Sequence, residues 1–163
     1  MSRRMERTFG RDWNLLAEIR EEVADFLKKE GLDADTSYSL SMAACELAEN
    51  ALKYGRFSDP SDTARLQVVL DEEEVIVQVS NKVGPEQQEH LARLDEMVQW
   101  IRGFQDPFEA YVQRLKQVSA QSLTSSESGL GLVRIAYEAG CIIDFILDDS
   151  NRVHVSASYR LAG

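Results

Sequence analysis

Within the stretch AACELAENALKYG, Ala43–Gly55, a carboxylate at Glu46 and a carboxamide at Asn50 stand one helical turn apart. On a helix that spacing sets the two side chains about 40° apart on one face. They border the apolar positions Leu40, Ala44, Leu47 and Ala51, at the rim of a face that must be buried. A carboxylate so placed can orient or deprotonate a hydroxyl or a water. The amide oxygen beside it suits a hard cation such as Mg2+, which keeps most of its own waters. The same pair also fits a solvated Glu next to a surface Asn, because so short a motif is common.

A second group is ESGLGL, Glu127–Leu132, in which Gly129 and Gly131 flank Leu130 where a helical pattern begins. Free N–H groups and the positive end of a helix dipole favour an anion there, and glycines let a phosphate come close. A flexible loop entering a helix is the plain alternative. Between the two groups lies VSNKVGPEQQ, which ends a strand at Ser80 or Asn81 before Gly84 and Pro85. Either a ligand lies across the end of a sheet at this point, or a strand simply runs into a turn.

These residues need elements to position them. Arg7–Phe9 reads as a short first strand. From Arg11, the residues Trp13, Leu16, Ala17, Val23, Ala24 and Leu27 recur at helical spacing, and KKEG supplies a basic last turn and a stop at Gly31. Asp33, Asp35 and Thr36 are alternative caps for the next helix, which carries the Leu40–Tyr54 stripe and closes at Gly55. Leu66, Val68 and Leu70, then Val75, Val77 and Val79, alternate as a hairpin around DEEE, a solvated turn. Residues 86–103, with Leu91, Leu94, Val98 and Ile101, and residues 107–118, with Phe108, Tyr111, Leu115 and Val118, fit amphipathic helices. After the serine-rich SAQSLTSSES, a short helix GLGLVRIAYEAG leads to a second hairpin, CIIDFILDD followed by Val153, Val155, Ala157, Tyr159 and Leu161. Paired strands and grouped helices predict an α+β fold: one mixed, mostly antiparallel sheet with helices on one face, in a single domain over residues 1–163.

Composition narrows the partners. The formal net charge of −10 argues against nucleic acid and anionic membranes, which reward a basic face, and leaves a neutral or basic protein partner open. Cys45 and Cys141 sit in apolar surroundings without CxxC spacing and read as buried reduced thiols. No apolar run approaches the ~18 residues of a spanning helix and no leader pattern opens the chain, so a cytoplasmic location is expected.

Taken together, ELAENALKYG resembles the N box of the GHKL family, the ATP-binding (Bergerat-type) domain of histidine kinases, gyrase-type ATPases and anti-sigma factor kinases. SGLGL is similar to its later glycine box, and the likeness runs from about Arg7 to Leu161. The resemblance implies Glu46 as general base, Asn50 as Mg2+ ligand and Lys53 as a basic group near the phosphates. Ser128, Gly129, Leu130 and Gly131 would then form the backbone cradle of the triphosphate. One box departs from the family. Where it expects DxGxG, this chain reads NKVGP, with Asn81 at the adenine-binding Asp and Val83 and Pro85 at the glycines. Asn81 keeps a carbonyl acceptor, whereas the φ > 0 freedom of the glycines is lost.

The segment 85–127 falls at the lid position, and its two helices need cover from the domain's own body or from another chain. Trp100, Phe104 and Phe108 offer anchors for a partner or a dimer, or else ordinary core packing. His90 and His154 read as surface residues. No upstream segment with a phosphoacceptor His is read, so a complete sensor histidine kinase is not expected. The resemblance is strongest to the anti-sigma factor serine/threonine kinases. It implies Mg-ATP as cofactor, a STAS-like protein as phosphorylated partner and a possible link to a sigma factor or other regulator. A non-catalytic partner-switching module is the rival expectation, with the altered adenine box marking lost nucleotide binding.

Overall fold

The computed structural model describes residues 2–119 and 130–161. Strand β1 (Arg3–Phe9) is followed by helices α1 (Leu15–Lys29) and α2 (Ala34–Tyr54) and the hairpin β2 (Ala64–Leu70) and β3 (Glu74–Lys82). A single 3-10 turn, Pro85–Gln87, leads to α3 (Gln88–Arg102) and α4 (Pro107–Ser119). Helix α5 (Leu130–Tyr137) and the hairpin β4 (Ile142–Leu147) and β5 (Arg152–Arg160) complete the order.

The strands form one sheet in the order β1-β2-β3-β5-β4, and every described pairing is antiparallel. The parallel component of the expected mixed sheet is therefore absent among the described residues. Alternation decides the two faces. Leu66, Val68, Leu70, Val75, Val77, Val79, Val155 and Ala157 are buried under the helices, while Glu6, Arg65, Gln67, Gln78 and Ser156 lie on the opposite face. On that opposite face Ser80 Oγ and His154 Nδ1 lie 2.7 Å apart, and His154 Nε2 lies 2.8 Å from Asp148 Oδ2. His154 thus lies on the outer face, as its position in the sequence implies, and is tied there to β3 and to the β4–β5 turn.

Helix boundaries follow local chemistry. Asp33 caps α2 by accepting the Thr36 N–H at 2.6 Å, which leaves Asp35 to complement the helix dipole in the first turn. Helix α1 ends in a Schellman motif. Gly31, at φ +98°, donates to the Lys28 carbonyl and Leu32 to that of Leu27. The helix starts later than expected: Trp13 lies ahead of it and is 45% exposed, and the buried stripe is Ile19, Val23 and Leu27. β1 is longer than expected, because Arg3–Thr8 pair along β2 despite lacking an apolar run. Arg7 ties β1 to α1 through Glu18 and Glu22.

Helices α1, α2 and α5 lie on the apolar face, with α2 over β2, β3 and β5. Helix α3 buries Leu91, Val98 and Ile101 in the same core, so its stripe is covered by this chain itself. Trp100 and Phe104 pack against that core and on each other, with ring centroids 4.7 Å apart. Phe108, by contrast, is 46% exposed and leans on Tyr137. Cys141 is buried, and burial pushes its thiol up to about 12, as expected of an inert core cysteine. Cys45 is half-buried.

Candidate functional site

One cavity of about 530 Å3 opens at the junction of α2, the end of β3, and helices α3, α4 and α5. Its size is that of a small-ligand site. From α2 it takes Glu46, Glu49, Asn50, Lys53 and Tyr54. Helical periodicity explains the set: positions 46, 50 and 53 follow one another around a single face, just beside the buried Leu47 and Ala51. The strand side contributes Val79, Asn81, Val83, Val153 and Val155, and α3 adds His90, Leu91, Leu94, Met97 and Trp100.

The Glu46 side chain is 22% exposed, and its Oε1 lies 3.5 Å from Arg134 Nη1 of α5. Its other oxygen lies against Gly131, where a built Cβ would overlap Oε2. Burial pushes the Glu46 carboxyl above its ordinary value, with Glu49 adding to the rise and Arg134, Lys53 and Arg20 opposing it. Lys53 Nζ pairs with Glu49 Oε1 at 3.3 Å, a turn earlier on the same helix. On α4, Arg114 also lines the cavity, and burial lowers the affinity of its guanidinium for its proton. Cations and carboxylates thus meet at this end, whereas the α3 wall mixes apolar Leu91, Leu94, Met97 and Trp100 with His90, Arg93 and Glu96.

Asn81 closes the strand end of the cavity and is 5% exposed. Its Nδ2 donates to the Lys82 carbonyl at 3.1 Å, and its Oδ1 takes no hydrogen bond among the described residues. Gly55 stands so close that a Cβ there would come within 2.7 Å of Asn81 Nδ2 and 2.5 Å of the Ala51 carbonyl. Its role is close approach, since its own φ of −79° suits any residue. The replaced family glycines cause no strain: among the described non-glycine residues only Asn151 has a positive φ. Val83 is instead buried, donates its N–H to the Asn151 carbonyl and turns the chain toward Pro85.

Glu46, Asn50, Lys53, Asn81 and Gly131 are therefore brought to one cavity from three separate parts of the chain. Leu130 opens α5 beside them. Ser128 and Gly129 lie outside the described residues. Two contributors escape sequence reading. His90 is not a surface residue but lines the cavity and packs at a tilt against Tyr54, with ring centroids 4.8 Å apart. Arg134 reaches Glu46 across 88 positions of sequence, a separation that no local pattern reveals.

The cavity fits a magnesium nucleotide in the chemistry of its donors. Asn81 offers an unengaged carbonyl oxygen at one end, Asn50 an amide and Glu46 a carboxylate at the other, with cations beside them. Among the described residues no group of three or more His, Cys, Asp or Glu forms a protein-only metal site. No described helix is long and apolar enough to cross a membrane.

A chain in the crystal structure of the SiaB-SiaC complex from Pseudomonas aeruginosa is similar with a TM-score of 0.64 and 17% sequence identity. The alignment covers 96% of this chain and 89% of that one, and at this identity the likeness is one of fold. No curated protein sequence matches the chain. The model of the histidine kinase-like ATPase domain matches residues 11–137. With a match spanning most of its length, the chain belongs to the histidine kinase-like ATPase domain family.

Proposed function

We propose that this chain is an Mg-ATP-binding regulatory protein serine/threonine kinase of the anti-sigma-factor type, acting on a protein partner in a bacterial partner-switching pathway. The observation that carries this reading is the half-buried Glu46 carboxylate. It shares one cavity wall with Asn50 and Lys53, and Asn81 faces the same cavity from the sheet. Mg-ATP, when bound, supplies a transferable phosphoryl group and a divalent charge that neutralises its oxygens. Asn50 would hold the metal through its amide oxygen, and Asn81 would accept the adenine amino group at Oδ1. Lys53 and Arg114 would balance phosphate charge, while the backbone of Ser128, Gly129, Leu130 and Gly131 would cradle the phosphates. Glu46 takes the proton of an incoming Ser or Thr hydroxyl at its carboxylate. Burial helps, because a raised proton affinity makes a carboxylate a better base.

The partner we propose is a STAS-like protein, with a sigma factor or other regulator further along the pathway and a homodimer as the working state. Support comes from the similar fold in the SiaB-SiaC complex, an assembly of two different proteins. The chain would work as one domain in the cytoplasm, with segment 85–127 as its lid, whose helices α3 and α4 line the site.

Calorimetric titration with Mg-ATP tests the reading. Saturable binding is expected, and Glu46→Gln should keep it while losing phosphate transfer. No binding at millimolar nucleotide refutes the kinase. It would favour the second reading, a partner-binding module without nucleotide, for which Val83 and Pro85 in place of glycines speak.

A further inference from the structure

Glu46 faces the cavity, yet the cation that holds it does not. Arg134 is not among the residues lining the cavity, and its Nη1 lies 3.5 Å from Glu46 Oε1. Arg134 is itself held: its Nε and Nη2 each lie 3.3 Å from Glu138 Oε2, one turn further along α5. One turn earlier, Gly131 lets the helix backbone press against Glu46 Oε2. Both carboxylate oxygens are thus fixed by a single face of α5, one by an ion pair and one by contact. Arg134 is the cation seen paired with Glu46. Lys53, the nearest candidate on α2, is paired with Glu49.

We propose that Arg134 is a positioning residue: from outside the cavity, and oriented by Glu138, it fixes the carboxylate of Glu46 toward an incoming hydroxyl. The inference rests on the reading of Glu46 as the base and adds what aims it. A planar guanidinium suits this task better than an ammonium, because its donors are fixed in a fork that can serve both glutamates at once. Groups that orient a reacting residue in this way are worth about 10- to 100-fold when lost.

The experiment compares the intact chain with its Arg134→Gln, Arg134→Lys and Glu138→Gln variants in two measurements. The first is Mg-ATP turnover, with water as acceptor. Arg134→Gln should lower kcat about tenfold or more with KM for ATP changed by less than about twofold. Arg134→Lys should recover part of the loss, and Glu138→Gln should lose less than Arg134→Gln. The second is the side-chain carboxyl resonance of Glu46 in 13C-glutamate-labelled protein, assigned by its disappearance in Glu46→Gln. It should shift or broaden in Arg134→Gln and return toward its place in Arg134→Lys. An unmoved resonance overturns the proposal whether or not turnover is detectable, and so does an unchanged kcat in Arg134→Gln. Wild-type turnover in Glu46→Gln overturns the base reading instead, and the resonance then still reads the tether by itself.

Discussion

Replacing Gly131 by Ala separates the stability of this fold from its chemistry. The backbone at Gly131 has no positive φ, so Ala is conformationally permitted. Its Cβ, however, falls on Glu46 Oε2, and the obstacle is the far end of a flexible side chain, which can swing away. Two terms then nearly cancel. Helix propensity favours Ala over Gly by up to about 1 kcal/mol, and less in a first turn. Displacing Glu46 loosens a partly exposed ion pair worth about 0.5–1 kcal/mol. The net change is within about 1 kcal/mol, or roughly 2–4 °C in Tm for a domain of this size. Turnover has no such cancellation, because a carboxylate moved by about 1 Å costs on the order of 100-fold. Thermal melts of wild type and Gly131→Ala, with Mg-ATP turnover on the same samples, measure both. An unchanged rate would show that the Gly131–Glu46 contact does not set the reactive geometry. A Tm fall well beyond about 4 °C would show that Glu46 cannot yield, and the reasoning would fail at its first step.

Other perturbations address the remaining parts of the site. Asn81→Leu removes the free Oδ1 and should weaken ATP binding by about 1–1.5 kcal/mol, or roughly 5- to 12-fold, in a calorimetric titration; equal affinity would exclude Asn81 from base recognition. Because burial raises the Glu46 carboxyl above 4.5, the folded state holds its proton longer than the unfolded chain, and this group's contribution to stability falls as pH rises through that window. Glu46→Gln should therefore gain stability relative to wild type as pH rises from below the ordinary carboxylate range to above it, and a constant gap in urea midpoints would contradict the shift. Asp33→Ala removes the α2 cap and should cost about 1 kcal/mol in the same unfolding assay; no loss would mean that Asp35 or Thr36 takes over the cap.

Local patterns made much of this architecture legible. The alternation of Leu66–Leu70 and Val75–Val79 gave both strands and the face they bury. The α2 stripe placed Glu46 and Asn50 at a cavity rim, since helical spacing converts directly into direction. What stayed hidden depends on distant partners. β1 is an edge strand whose Arg3–Thr8 have no apolar run, so its length is set by pairing with β2. Trp13 fits the helical spacing but falls in the turn before α1 begins at Leu15, where the Asp12 side chain accepts the Asn14 N–H. His90 reads as polar surface because only the fold brings Tyr54 onto its ring. The Arg134–Glu46 pair joins helices far apart in sequence, and an arginine on a short helix carries no sign of its partner.

The unbroken run of α2 has a consequence for how such a chain can vary in length. At 1.5 Å and 100° per residue, Glu46, Asn50 and Gly55 sit at fixed heights and bearings along one rod. Gly55 locks that rod's end against Asn81. A single residue inserted between Glu46 and Asn50 would turn the amide by about 100°, off the cavity wall, and pull Gly55 out of contact. Added residues at 57–63 would merely lengthen a surface loop, which chains accept readily. Insertions and deletions among relatives should therefore be rare between Asp33 and Gly55 and collect in the loop that follows.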